Sequence, residues 1–85
     1  MMNKIELAKS FIESVNCKCG EIHEEGNTSW FSVDFPRGLT LKIEFNKDNK
    51  DEDFFVSELY DHVFLGAYSF DNLKNLIIVL DKSEV

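Results

Sequence analysis

Cysteine is scarce in this 85-residue chain, which holds only Cys17 and Cys19. Two thiols separated by one residue build no framework of bridges, and a disulfide within Cys-X-Cys would be strained. The chain has one proline and four glycines, and none of the glycines falls in a phosphate-cradling loop, so nucleotide binding has no support. No apolar run approaches the roughly 18 residues of a membrane span. The opening MMNKIELAKSFIES puts Lys4, Glu6 and Lys9 where a signal peptide is apolar. A cytoplasmic protein with reduced thiols and no membrane partner is expected.

Positive charge is also in short supply. Nine Lys and Arg stand against sixteen Asp and Glu, a net charge of −7. The excess is uneven: residues 1–47 carry seven acids and six bases, and residues 48–85 carry nine acids and three bases. Direct nucleic-acid binding needs clustered Lys and Arg to neutralise phosphates. Near the aromatic strands only Arg37, Lys42 and Lys47 are available, interrupted by Asp34 and Glu44. An acidic domain instead attracts basic partners through long-range steering.

Large apolar side chains, by contrast, are plentiful. Eight Phe, two Tyr and one Trp provide material for a core, each buried ring contributing roughly 1.5–3 kcal/mol. One domain spanning residues 1–85 is expected, and with so many aromatics it should fold rather than remain disordered.

Asn3 followed by Glu6 forms a capping box, and Ile5, Ala8, Phe11, Ile12 and Val15 recur at helical spacing, which predicts a helix over residues 4–16. A short strand is expected over residues 19–23. From Thr28 the period becomes two. Phe31, Val33 and Phe35 alternate with Trp30, Ser32 and Asp34, and after a Pro36-Arg37-Gly38 turn Leu39, Leu41, Ile43 and Phe45 alternate with Thr40, Lys42 and Glu44. Residues 46–53 contain no apolar side chain and read as a solvated hairpin loop.

Two more strands, over 54–60 and 63–70, flank Asp61-His62. Pairing Tyr60 with Val63 would set Leu59 opposite Phe64, Ser57 opposite Gly66 and Phe55 opposite Tyr68, with Phe55, Leu59 and Phe64 facing the core and the small Ser57/Gly66 pair leaving room for a crossing helix. Both faces of this hairpin are apolar, so something should cover the second. Phe70, Leu73, Leu76, Ile77 and Leu80 fit a helical stripe capped by Ser69 or Asp71, although Ile77-Ile78-Val79 would also suit a strand. The expected class is α+β: an N-terminal helix, an antiparallel meander of four to five strands, and a C-terminal helix.

Catalytic and metal signatures are missing. A zinc site would need Cys17, Cys19, His23 and His62 to converge, and the Cys-X-Cys spacing does not suit one. No motif positions a nucleophile beside a base, so neither enzyme activity nor a cofactor is expected. A binding surface remains. Trp30, with Tyr60 and Phe54 on the same side of the sheet, would sit among Asp34, Glu44 and Glu58, while Asp48, Asp51, Glu52, Asp53 and Asp61 extend the acidic surface; aromatics ringed by acids suit an anchor for a basic partner. In the competing arrangement the C-terminal helix packs over that face and makes Trp30 and Tyr60 core residues.

In size, acidity and lack of a catalytic motif the chain resembles phage-encoded inhibitors of bacterial defence, anti-CRISPR proteins among them, and equally the immunity proteins that neutralise basic nuclease toxins. The resemblance is one of general character and carries no residue-level correspondence. It implies an inhibitor whose carboxylates occupy a basic groove of a nucleic-acid-binding effector or nuclease. The alternative is a structural or chaperone-like assembly module, a homodimer that buries the two-sided hairpin against its copy.

Overall fold

The computed structural model describes residues 3–15, 17–36 and 38–82. Helix α1 (Lys4–Glu13) opens with the predicted capping box: the Glu6 amide donates to Asn3 Oδ1 at 2.9 Å, and the Asn3 amide donates to Glu6 Oε1 at 3.3 Å. It ends earlier than the apolar spacing suggests. The Ser14 and Val15 amides bond to the carbonyls three residues back, tightening the last turn; Asn16 lies outside the described residues.

The expected strand over 19–23 is replaced by two short ones, β1 (Lys18–Cys19) and β2 (His23–Glu25), which pair antiparallel with the same edge of β3 (Thr28–Asp34). Residues 20–22 between them hold one extra residue relative to β3, because Cys19 pairs with Val33 whereas His23 pairs with Trp30. Gly20 permits this bulge. Its amide donates to the Ser32 carbonyl at 2.9 Å, and a Cβ there would lie 2.5 Å from Ser32 Oγ.

β3 runs into β4 (Thr40–Asn46) in the predicted phase, with Phe31 opposite Ile43 and Val33 opposite Leu41, all four fully buried. Leu39 and Phe45 are half-buried against them. The intervening turn closes through Phe35 N–H to the Leu39 carbonyl at 2.9 Å, and Gly38 takes φ 95°. Arg37 lies outside the described residues.

The last hairpin departs from the expected register. β5 (Phe54–Glu58) and β6 (Phe64–Tyr68) pair Phe54 with Tyr68, Phe55 with Ala67 and Val56 with Gly66, then slip so that Ser57 faces Phe64. Ser57 and Gly66 are therefore not partners. Phe54 and Val56, not Phe55, Leu59 and Phe64, enter the core: both are fully buried, whereas Phe64 is 62% exposed. Neighbouring β4 decides the phase by setting Phe45 opposite Phe54 and Ile43 opposite Val56. The connecting turn holds four residues instead of two, closed by the Glu58 amide on the Val63 carbonyl at 2.8 Å, with His62 at φ 58°.

Helix α2 (Phe70–Lys82) settles the ambiguity of the C-terminal segment and buries Leu73 and Ile77. The sheet order is β1-β3-β4-β5-β6, with β2 also on β3, and every pairing is antiparallel. The class is α+β, as the pattern predicts. α1 and α2 touch each other and lie on the same face of the sheet, where Ile5, Ala8, Ile12, Leu73 and Ile77 join Phe31, Val33, Leu41, Ile43, Phe54 and Val56 in one core.

Candidate partner-binding surface

With both helices on one face, the other face of the sheet carries no covering element among the described residues. The arrangement in which α2 packs over Trp30 is thereby corrected. Side chains alternate along each strand, and the registers align His23, Trp30, Glu44, Phe55 and Ala67 in one row across β2, β3, β4, β5 and β6. Four strand spacings of about 4.8 Å make this row roughly 19 Å long.

Trp30 is half-buried and held on both sides. The His23 ring stacks on it at 4.3 Å between centroids, and Lys42 Nζ stands 4.9 Å from its centroid while pairing with Glu44 Oε1 at 3.3 Å. The indole is therefore positioned by its neighbours before any partner arrives. Further along the row Phe55 meets Phe64 at 6.3 Å. The expected companions of Trp30 are elsewhere. Phe54 is in the core, and Tyr60 lies beyond the end of β5, in the turn, 72% exposed.

The candidate acids divide between the two ends of the sheet. Asp48, Asp51, Glu52 and Asp53 belong to the β4–β5 loop, whereas Asp34, Glu58 and Asp61 lie at the other end, about 17 Å away along β5. At the loop end, Asp48, Asp51 and Asp53 line a depression of about 420 Å³ with Asn46, Asn49, Phe55 and Ala67. Local side-chain bonds shape that loop: the Asp48 amide donates to Asn46 Oδ1 at 2.8 Å and the Asp51 amide to Asn49 Oδ1 at 3.0 Å. Glu52 turns away to pair with Lys4 of α1. Asn27 Nδ2 donates to Asp48 Oδ2 at 2.6 Å, and the Lys47 amide donates to the Asn27 carbonyl at 2.8 Å, which joins this loop to the β2–β3 turn and brings Glu24 and Glu25 to the same end.

Asp34 and Glu58 are engaged in local hydrogen bonds. Asp34 Oδ1 accepts from the Thr40 hydroxyl at 2.8 Å. Glu58 accepts the amides of Tyr60 at 3.0 Å and Asp61 at 2.6 Å, and these bonds hold its carboxyl below the usual carboxylate range. Its position is that of a turn clasp. Asp61 is exposed beside it.

The thiols and imidazoles do not converge. Cys17 is part of the core, Cys19 directs its thiol toward the Lys9 carbonyl at 4.0 Å, His23 is on the Trp30 face, and His62 is in the β5–β6 turn. Among the described residues no group of three or more His, Cys, Asp or Glu could hold a metal ion. Burial, with a smaller contribution from Glu13, pushes the Cys19 thiol from its ordinary 9.0 up to about 12, so it carries almost no thiolate at neutral pH.

Sequence reasoning missed His23, Lys42, Phe55 and Ala67 as neighbours of Trp30 and Glu44, and missed Glu24 and Glu25 as neighbours of the loop. The β3–β4 alternation did signal that Lys42 and Glu44 share Trp30's face. The others depended on registers that the sequence left open. No helix among the described residues is long and apolar enough to cross a membrane. No family model matches the chain, and no curated protein or solved structure is found similar to it.

Proposed function

We propose that this chain is a non-catalytic protein-binding module, an inhibitor that covers a basic, nucleic-acid-binding surface of its target in the cytoplasm. One observation carries the reading: the uncovered sheet face ends at the loop carboxylates, so Phe55 and Ala67 border the same depression as Asp48, Asp51 and Asp53. Such a surface suits Arg and Lys side chains, whose aliphatic stems pack on apolar ground while their heads meet carboxylates. Trp30 and Glu44 extend the contact along the row. The general likeness to small acidic inhibitors, phage-encoded antagonists of bacterial defence and nuclease-immunity proteins included, points the same way.

The test is capture from bacterial lysate at low and then high salt, followed by binding kinetics with the captured protein and competition by nucleic acid. The expected partner is basic, binds nucleic acid, and releases it when this chain binds. Changing Asp48, Asp51 and Asp53 together to Lys should slow association roughly tenfold or more at low salt. Unchanged association at low salt, or simultaneous binding of nucleic acid and this chain to the partner, overturns the proposal.

A further inference from the structure

The exposed apolar side chains are not scattered. Tyr60, Val63, Phe64, Leu65 and Val79 are the large ones, with Leu7 standing apart, and most of them gather where β6 ends the sheet and α2 runs beside it. Residues 63–70 contain no charged side chain, although 29% of the chain is Asp, Glu, Lys or Arg. The flank of α2 toward this edge is uncharged as well. Asn72, Asn75, Leu76 and Val79, spaced at one helical face, border a groove of about 390 Å³ with Ala67 and Tyr68. Sheet edge and helix flank thus form one neutral wall.

The opposite edge is built in the contrary way. β1 and β2 are short, separated by the bulge at 20–22, and carry Lys18, Glu24 and Glu25. Such features keep an exposed strand from pairing with another chain. β6 has neither lysine nor proline. Its one-residue slip turns the chain at Leu65, whose carbonyl accepts the Tyr68 hydroxyl at 3.4 Å; beyond it Gly66, Ala67 and Tyr68 have β5 on one side only.

We infer that the β6–α2 wall is the surface through which two copies of this chain pair about a twofold axis, strand edge against strand edge and helix flank against helix flank. The charge distribution selects a second copy as the occupant. A twofold axis brings each side chain near its own image, so a chain of net charge −7 repels itself wherever the contact carries acids. This wall carries none, and a basic partner would be drawn instead to the loop end. Antiparallel pairing about an axis perpendicular to the sheet keeps both Trp30 faces on one side and sets the two α2 helices antiparallel, with their dipoles opposed. The depression proposed above shares Ala67 with this wall but includes neither Leu65 nor Val79, the positions tested below, so the two readings fail separately.

Sedimentation equilibrium of the full chain, from roughly 1 to several hundred micromolar, tests the pairing, with a melting temperature that rises with protein concentration as its second readout. A monomer–dimer equilibrium is expected within that range. Leu65→Asp and Val79→Asp, on separate elements and both at exposed positions, should each weaken it roughly tenfold or more. Lys18→Gln, which alters net charge by the same amount at the opposite edge, should leave it unchanged. Circular dichroism confirms that each variant folds, and either aspartate variant suffices if the other does not. A monomer at every concentration, a dimer indifferent to the aspartate variants, or one that responds equally to Lys18→Gln overturns the inference.

Discussion

Phe54 and Phe55 are adjacent in sequence and face opposite sides of one sheet. Phe54 is fully buried, in ring contact with Phe45 at 5.1 Å and Phe70 at 6.2 Å, beneath two helices. Phe55 is half-buried on the face opposite the two helices, between Glu44 and Ala67. The covered face holds the fold together through apolar contact. The open face mixes aromatics with charge, His23 and Lys42 against Trp30 and Glu44 beside Lys42, so that each aromatic ring has a polar neighbour. Identical side chains therefore do different work according to which side of the sheet they occupy, and substitution should separate them.

The largest effect belongs to the covered face. Phe54→Ala should cost about 3–5 kcal/mol of unfolding free energy, enough to leave a domain of this size mostly unfolded. Phe55→Ala should cost clearly less, about 1–2 kcal/mol in the same urea titration, because its ring is only half-buried and loses fewer packing contacts. Equal losses at the two positions would erase the distinction between the faces.

Trp30→Ala sharpens it further. The expected stability loss is under about 2 kcal/mol, from the His23 stack and the Lys42 contact, while binding to the captured partner should fall at least tenfold, as for an anchor residue. Quenching by iodide should reach the indole in the isolated protein, since it is only half-buried. A tryptophan fully protected from iodide would mean that something covers this face.

Ser29 tests the covered face with the opposite sign. Its side chain is buried on β3, and Oγ finds no hydrogen-bond partner among the described residues. Ser29→Ala removes an unsatisfied hydroxyl and should stabilise the domain by up to about 1 kcal/mol, read as a higher midpoint in denaturant.

The remaining effects are those of pH, which near neutrality are the smallest. Cys19, on the covered side, keeps its proton in the folded chain to about 12 while the unfolded thiol loses it near 9.0. The unfolded state then holds fewer protons, so this contribution is complete below pH 9.0 and is lost as pH rises toward 12. Cys19→Ala should flatten the alkaline fall in melting temperature. Glu58, in the exposed turn, behaves oppositely: its lowered value favours the fold above the ordinary carboxylate range and is lost as pH falls through the folded value. Glu58→Gln should flatten the acid side slightly and leave the alkaline side unchanged.

Local pattern alone sets α1, through the capping box and the Ile5/Ala8/Ile12 spacing, and the β3–β4 hairpin, through an alternation in which one face is apolar and the other polar. The α+β class and the acidic loop follow from it as well. In each of these the local pattern admits one solution, because shifting a half-polar strand by one residue would bury Lys42 and Glu44 and expose Leu41 and Ile43. Tertiary structure decided the rest. The strands within residues 54–70 carry apolar side chains in both phases, so the choice between Phe54 and Phe55 for the core fell to the register with β4 and to the slip at Leu65. The same contacts decided that α2 joins α1 on one face. They left Trp30 open and sent Asp48 and Glu58 to opposite ends of the sheet, because side chains close in sequence are separated by the length of the strand that runs between them.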